Sequence, residues 1–143
     1  MVDYLDGRDL IRWCGTREIG VQCYEPLGSS VLTGAIRRDS DVDALWGGHL
    51  KEWAMFDRLL QGERFDRSMD VVEGLRELGE DWGATIAQLA VAWVVHQPGV
   101  SVAIAGSTNP EHIRSNGEAG DLDLSAEQLD ELDSIVLLGP AFA

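Results

Sequence analysis

Val100-Ser101-Val102-Ala103-Ile104-Ala105-Gly106-Ser107-Thr108-Asn109-Pro110 is the stretch that decides the fold class of this chain. Residues 100–105 are largely apolar and rich in β-branched side chains, with little polar alternation. A run of that length and character suits a parallel strand covered on both faces. Gly106 breaks the run. Asn109 is a good helix cap, and Pro110 suits a first helical turn because its missing N–H would have no partner there. A strand, a Gly-Ser-Thr turn and a helix N-terminus in succession make an anion site: unpaired N–H groups and the positive end of the helix dipole point the same way. Glycine at 106 would let a ligand approach the backbone closely. The plainer reading is that Ser107 to Asn109 only cap a helix.

Working outward, two helices precede this strand. Met69, Val72, Leu75 and Leu78 recur every three residues and predict a helix over 66–79. Ile86, Leu89, Ala90 and Trp93 share one face of a second helix over 85–96, with Thr85 as its cap or first-turn residue and Pro98-Gly99 as its stop. Trp93, and Trp82 just before that helix, read as core or interface residues. After the strand, Ser125 and Gln128 have the spacing of a capping box, and Leu129, Leu132, Ile135 and Val136 form the apolar face of a last helix. Near the start, Leu10 to Cys14 read as the end of a helix, with Tyr4 in a flexible segment before it. Val21-Gln22-Cys23-Tyr24 is a short strand, ended by Glu25-Pro26-Leu27-Gly28. Residues 28–64 are mixed, with a short helix expected from about Lys51 to Leu60. Alternation of this kind predicts β/α units with parallel strands.

At 143 residues the chain reads as one domain, 1–143, able to bury a sizeable core. No apolar run approaches the roughly 20 residues needed to span a bilayer. The N-terminus shows no basic segment leading into an apolar stretch, so a cytoplasmic protein with no membrane partner is expected. The net charge of −14 repels phosphate backbones and argues against nucleic acid as a partner. Lys51 is the single lysine. Cys14 and Cys23 read as reduced, buried thiols; their spacing does not suit a zinc site, and no metal is expected.

Three stretches in this order resemble the aldo-keto reductase family: Gly20-Val21-Gln22-Cys23-Tyr24-Glu25-Pro26-Leu27-Gly28 followed by Leu32-Thr33-Gly34; Ala87-Gln88-Leu89-Ala90-Val91-Ala92-Trp93; and Val102 to Asn116 continuing to Leu124-Ser125. They are similar to the seventh barrel strand and its loop, the helix before the eighth strand, and the eighth strand with its phosphate turn and following helix. The resemblance implies an α/β fold: a partial, half TIM-type β/α barrel with parallel strands, completed by association. It implies a site at the C-terminal ends of the strands and a nicotinamide cofactor, usually NADPH, so that NADP is the expected ligand unless binding has been lost. By resemblance Tyr24 would stack on the nicotinamide, the backbone at Leu27, Gly28 and Ser29 would lie near the pyrophosphate, Ser107 and Thr108 would face the 2′-phosphate end, and Asn116 would contact the adenine; with Gly106 admitting the ligand, His112 and Arg114 would supply the nearest positive charge. Phosphate binding and capping then become compatible.

The sequence departs from the family pattern at two positions of that turn. His112 stands where the family often has an arginine, and Ser115 where many members have an acid; Arg114 points in an adjacent helical direction. Gln22 shares the face of Tyr24 by strand alternation, so it should point into an otherwise apolar barrel interior, where it would need hydrogen-bond partners. The resemblance also places the family's reducing groups (a tyrosine acid with its lysine and aspartate, and usually a histidine) in the N-terminal half of the barrel, outside the stretches matched.

Three classes of function follow. The chain is the NADPH-binding half of a carbonyl oxidoreductase without the catalytic tyrosine and lysine. Or it is a shortened-barrel enzyme of a non-redox class, a cyclase or isomerase, using Glu25 and Tyr24, with His49 or Asp39, for acid–base work. Or it is a non-catalytic binding subunit. For Glu25 the plainer reading is a solvated strand-end carboxylate, and for His49, in a loop that would fold over the cofactor, an exposed loop histidine. Trp46 and Trp53 could line a pocket there. The expected partners are a small-molecule ligand and either a second copy or a chain supplying the missing half-barrel, because two strands leave open edges.

Overall fold

The computed structural model describes residues 4–42, 44 and 59–136. Helix α1 (Tyr4–Gly15) leads to strand β1 (Val21–Tyr24) and a 3-10 turn at Val31–Thr33. Helices α2 (Gly62–Trp82) and α3 (Ile86–Val95) follow, then strand β2 (Val100–Ile104), helix α4 (Pro110–Glu118), a 3-10 turn at Ala119–Asp121 and helix α5 (Ala126–Val136). Tyr4 therefore opens a helix, where the sequence suggested a flexible start. The helix expected from Lys51 falls almost wholly outside the described residues, as do Trp46, His49, Lys51 and Trp53.

The helix ends follow their local chemistry. Thr85 Oγ1 accepts from the Gln88 N–H, and Gln88 Oε1 accepts from the Thr85 N–H, so α3 starts with a full capping box. Ser125 and Gln128 do the same for α5. Asn109 Oδ1 accepts from the Glu111 N–H with Pro110 in the first turn of α4. Helix α2 is longer than its apolar periodicity and ends on Gly83, which takes φ 68 and donates to the Gly79 carbonyl. Gly99, at φ 97, is where α1 crosses the turn after α3; a β-carbon there would sit 2.6 Å from the Ile11 carbonyl oxygen.

The core lies between α2, α3, α5 and one face of the sheet. Met69, Val72 and Leu75 of α2 meet Leu89, Ala90 and Trp93 of α3 and Leu132 of α5, with Val31, Leu32 and Ile36 closing one end. Helix α3 is covered on all sides: every residue from Leu89 to Val94 is buried. Trp82 packs partly buried against this core. Each fully buried large apolar side chain contributes roughly 1.5–3 kcal/mol relative to exposure, so this cluster anchors the elements that carry the strand ends.

Strands β1 and β2 pair in parallel, with Gln22 opposite Val102, Cys23 opposite Ala103 and Tyr24 opposite Ile104, after an irregularity between Val21 and Gln22. Cys23, Val100 and Ala103 face the core. The other face is open. Tyr24 is 79% exposed, and Gln22, Val102 and Ile104 are exposed with it. The expectation that β2 is covered on both sides does not hold among the described residues, since helices cover one face only. Gln22 does share the face of Tyr24, but it meets solvent there and needs no buried partner. The cysteines are half-buried and free, where fully buried thiols were expected. Burial pushes the Cys23 thiol up from its ordinary pKa, which keeps it protonated.

Candidate functional site

The C-terminal ends of both strands open onto one cleft of about 550 Å³. On one side the β2 turn and α4 contribute Gly106, Ser107, His112 and Asn116; on the other the loop after β1 contributes Leu27. Five of the residues singled out from sequence thus come together, although they lie up to 89 positions apart (27 to 116).

The loop after β1 owes its shape to unusual backbone. Gly28, Ser29 and Ser30 take φ of 53, 49 and 74 in succession, and Glu25 takes 49. For a non-glycine residue each left-handed conformation costs roughly 1–2 kcal/mol. Buried Pro26, Val31 and Leu32 hold the chain in it, together with bonds from the Val31 N–H to the Gly28 carbonyl at 3.1 Å and from the Leu32 N–H to the Leu27 carbonyl at 3.0 Å. Gly34 is left-handed too, at φ 75, and a β-carbon there would lie 2.7 Å from Ile86 Cδ1. Glycine at 34 lets this loop lie against the start of α3.

The strand-to-helix turn forms where the sequence put it, but its donors are partly occupied. The Asn109 N–H donates to Ser107 Oγ at 3.1 Å, the Glu111 N–H to Asn109 Oδ1 at 2.9 Å, and the Ile113 N–H to the Asn109 carbonyl at 3.1 Å. The expectation of freely outward-pointing N–H groups is corrected to that extent: the chain's own cap engages two of them. Ser107 Oγ also lies 3.4 Å from His112 Nδ1. Gly106 has open space where a β-carbon would go.

The remaining sequence candidates lie around this cleft and do not line it. Tyr24 stands on the open strand face. Gly28 is buried and Ser29 half-buried in the loop behind Leu27, and Thr108 is exposed on the turn. Glu25 is exposed, and its Oε1 accepts from the Ser29 hydroxyl at 3.5 Å. Asp39 lines a different cleft with Arg38 and Arg76, so Glu25 and Asp39 are not gathered in one pocket. Arg114 is exposed. Sequence reasoning missed Ser30, Thr33, Gly34 and Ala35 after β1, and Thr85 and Ala87 at the start of α3. The doubled serine after Gly28, with a further glycine at 34, was the signal available. Ser115, noted only as a departure, lines the cleft as well.

Arg38 ties the segment after Gly34 to α2. Its Nε donates to Glu73 Oε1 at 2.7 Å; it also pairs with Asp70, and with Asp66 at 3.6 Å. The guanidinium holds the Glu73 carboxyl below its ordinary pKa. Among the described residues no group of three or more His, Cys, Asp or Glu side chains is placed to hold a metal ion. No described helix is long and apolar enough to cross a membrane.

A sequence model described as "Aldo/keto reductase family" matches residues 1–137. A probable voltage-gated potassium channel subunit beta of Arabidopsis thaliana is 32% identical over 129 residues, covering 85% of this chain and 37% of that protein. An NADH-specific methylglyoxal reductase of Escherichia coli K12 is 32% identical over 117 residues, covering 82% of this chain and 33% of that protein. The chain therefore spans about a third of the length of these curated relatives. In structure it is similar to the glycerol dehydrogenase of Gluconobacter oxydans, with a TM-score of 0.74, 22% identity, and coverage of 96% of this chain and 41% of the other. A thermostable aldo-keto reductase in complex with the inhibitor epalrestat matches with a TM-score of 0.57, 23% identity, and coverage of 93% and 35%. At those identities the likeness concerns the fold alone.

Proposed function

The chain belongs to the aldo/keto reductase family, and from that premise we propose that it is the dinucleotide-binding part of a carbonyl oxidoreductase. The observation that carries this reading is the cleft: Leu27, Gly106, Ser107, His112 and Asn116 line one space of about 550 Å³ at the C-terminal strand ends, where barrel enzymes keep their chemistry. The residues fit a nicotinamide dinucleotide. The bare backbone at Gly106 lets a ligand approach closely, and Ser107 and Asn116 offer hydrogen bonds to ribose and base. When bound, the dinucleotide supplies a hydride to a carbonyl carbon. The chain's own part is to hold it and to exclude water around Leu27 and Ala87. In this reading the proton donor, a tyrosine with its lysine, comes from outside residues 1–143.

The open face of the sheet fits the same reading. Exposed Tyr24, Val102 and Ile104 are covered by the strands that complete a barrel, supplied by a second copy or by a chain carrying the other half. One relative described as a probable channel subunit favours a second reading, a non-catalytic binding subunit. Two measurements test the proposal. Calorimetric titration of the purified chain with reduced nicotinamide dinucleotide is expected to show saturable binding without oxidation of the cofactor by a generic aldehyde. Light scattering is expected to show a dimer or larger. Absence of binding would refute the dinucleotide reading, robust aldehyde reduction by this chain alone would refute the assignment of the proton donor elsewhere, and a stable 15.6 kDa monomer at high micromolar concentration would refute self-association.

A further inference from the structure

Resting on the dinucleotide reading, the charge of the cleft bears on which dinucleotide it takes. The described lining contains neither lysine nor arginine, and His112 is its one side chain able to carry positive charge. Arg114 is exposed and outside the lining. Arg38 is committed to Glu73, Asp70 and Asp66 and borders the other cleft. Helix α4 would draw an anion to its N-terminus, but Glu111 sits in its first turn, and the Asn109 and Glu111 N–H groups are taken by Ser107 Oγ and Asn109 Oδ1. The chain as a whole carries −14.

A 2′-phosphate brings about 1.5–2 negative charges at neutral pH, and dinucleotide sites that accept one supply an arginine for it. A free 2′-hydroxyl needs only neutral partners, and Ser107, Ser115 and Asn116 are such partners within the lining. We infer that this cleft selects NADH over NADPH.

The test is calorimetry on the 143-residue chain at pH 8. NADH is expected to bind tighter than NADPH by about tenfold or more, the order of effect of leaving an anion without a charged partner. In His112→Arg, at an exposed position that tolerates the longer side chain, NADPH should gain about tenfold while NADH stays within a factor of about two, because an arginine fork pairs with phosphate and not with a hydroxyl. NADPH binding as tightly as NADH in the native chain would overturn the preference while leaving the dinucleotide reading intact. Binding of neither would overturn both. A gain for both ligands equally in His112→Arg would show that position 112 faces the pyrophosphate, and would overturn the assignment of the unphosphorylated ribose to it.

Discussion

Trp93 donates its indole N–H to Asp133 Oδ1 at 2.7 Å, joining α3 to α5 across the core. The ring is 1% exposed, and its polar edge emerges where an acid can meet it. Asp133→Ala removes a charged acceptor at a partly buried bond, which costs about 1.5–3 kcal/mol. Urea unfolding should show a lower midpoint with an unchanged slope, because no apolar packing is lost. Asp133→Asn, which keeps an acceptor oxygen, should recover part of the loss.

Arg38 and the carboxylates of Asp70, Glu73 and Asp66 pin the segment after Gly34 onto α2. These groups are exposed, so Arg38→Ala is expected to lower the melting temperature only slightly, and less still in high salt. The pH dependence has a definite sign. Glu73 is held below its ordinary value of 4.5 in the folded chain, so its contribution is present above that value and is lost as pH falls through the lowered one. Melting curves of native chain and variant should therefore diverge at neutral pH and converge as pH falls through that lowered value.

The features legible in sequence were those set by a few neighbouring residues. Asn109 and Pro110 start α4, Ser125 and Gln128 start α5, and Met69, Val72 and Leu75 line the core face of α2, because caps and periodicity act within one or two turns. Parallel pairing of β1 with β2 was legible from the alternation of elements. The exposure of Val102 and Ile104 was not: β2 has the composition of a strand with two covered faces, while the described helices cover only one. The left-handed run at Gly28-Ser29-Ser30 was equally hidden, since serine has no preference for that conformation and long-range burial of Val31 and Leu32 imposes it. The cleft inherits both effects. Gly106, Ser107 and Asn116 could be named in advance, whereas Ser30, Thr33 and Thr85 join them only through tertiary packing.

Gly34 connects stability to the cleft. Its φ of 75 and the 2.7 Å approach of Ile86 Cδ1 oppose any β-carbon, although Ile86 can swing its terminal methyl aside. Gly34→Ala should cost about 1–2 kcal/mol, mostly from the left-handed backbone. Because Gly34 lines the cleft, displacement of its loop should weaken dinucleotide binding as well. Gly83→Ala is the control: it is also left-handed, at φ 68, with nothing within 4 Å of its β-carbon and no place in the cleft. Comparable destabilisation in both variants, with weaker binding only in Gly34→Ala, separates the local role from the global one.

Gly106 offers the converse experiment, a variant that should leave folding alone and remove binding. A β-carbon at 106 meets no described atom within 4 Å, and the residue is exposed at the lip of the cleft, so the branched side chain of valine there has open space on the ligand side. Its two methyl groups would fill the space the ligand must enter to reach the turn. Gly106→Val is thus expected to melt within a degree or two of the native chain, as surface substitutions generally do, while its affinity for reduced dinucleotide falls by at least about tenfold, the cost of leaving the ligand's hydrogen bonds to Ser107 and Asn116 unmade. Arg114→Ala, on the exposed side of the same helix, should leave affinity nearly unchanged. Calorimetry on the two variants decides between a ligand seated on the turn and a turn that only caps α4. Unchanged affinity in Gly106→Val would establish the second, because the cap bonds from Ser107 and Asn109 do not involve the space that valine fills.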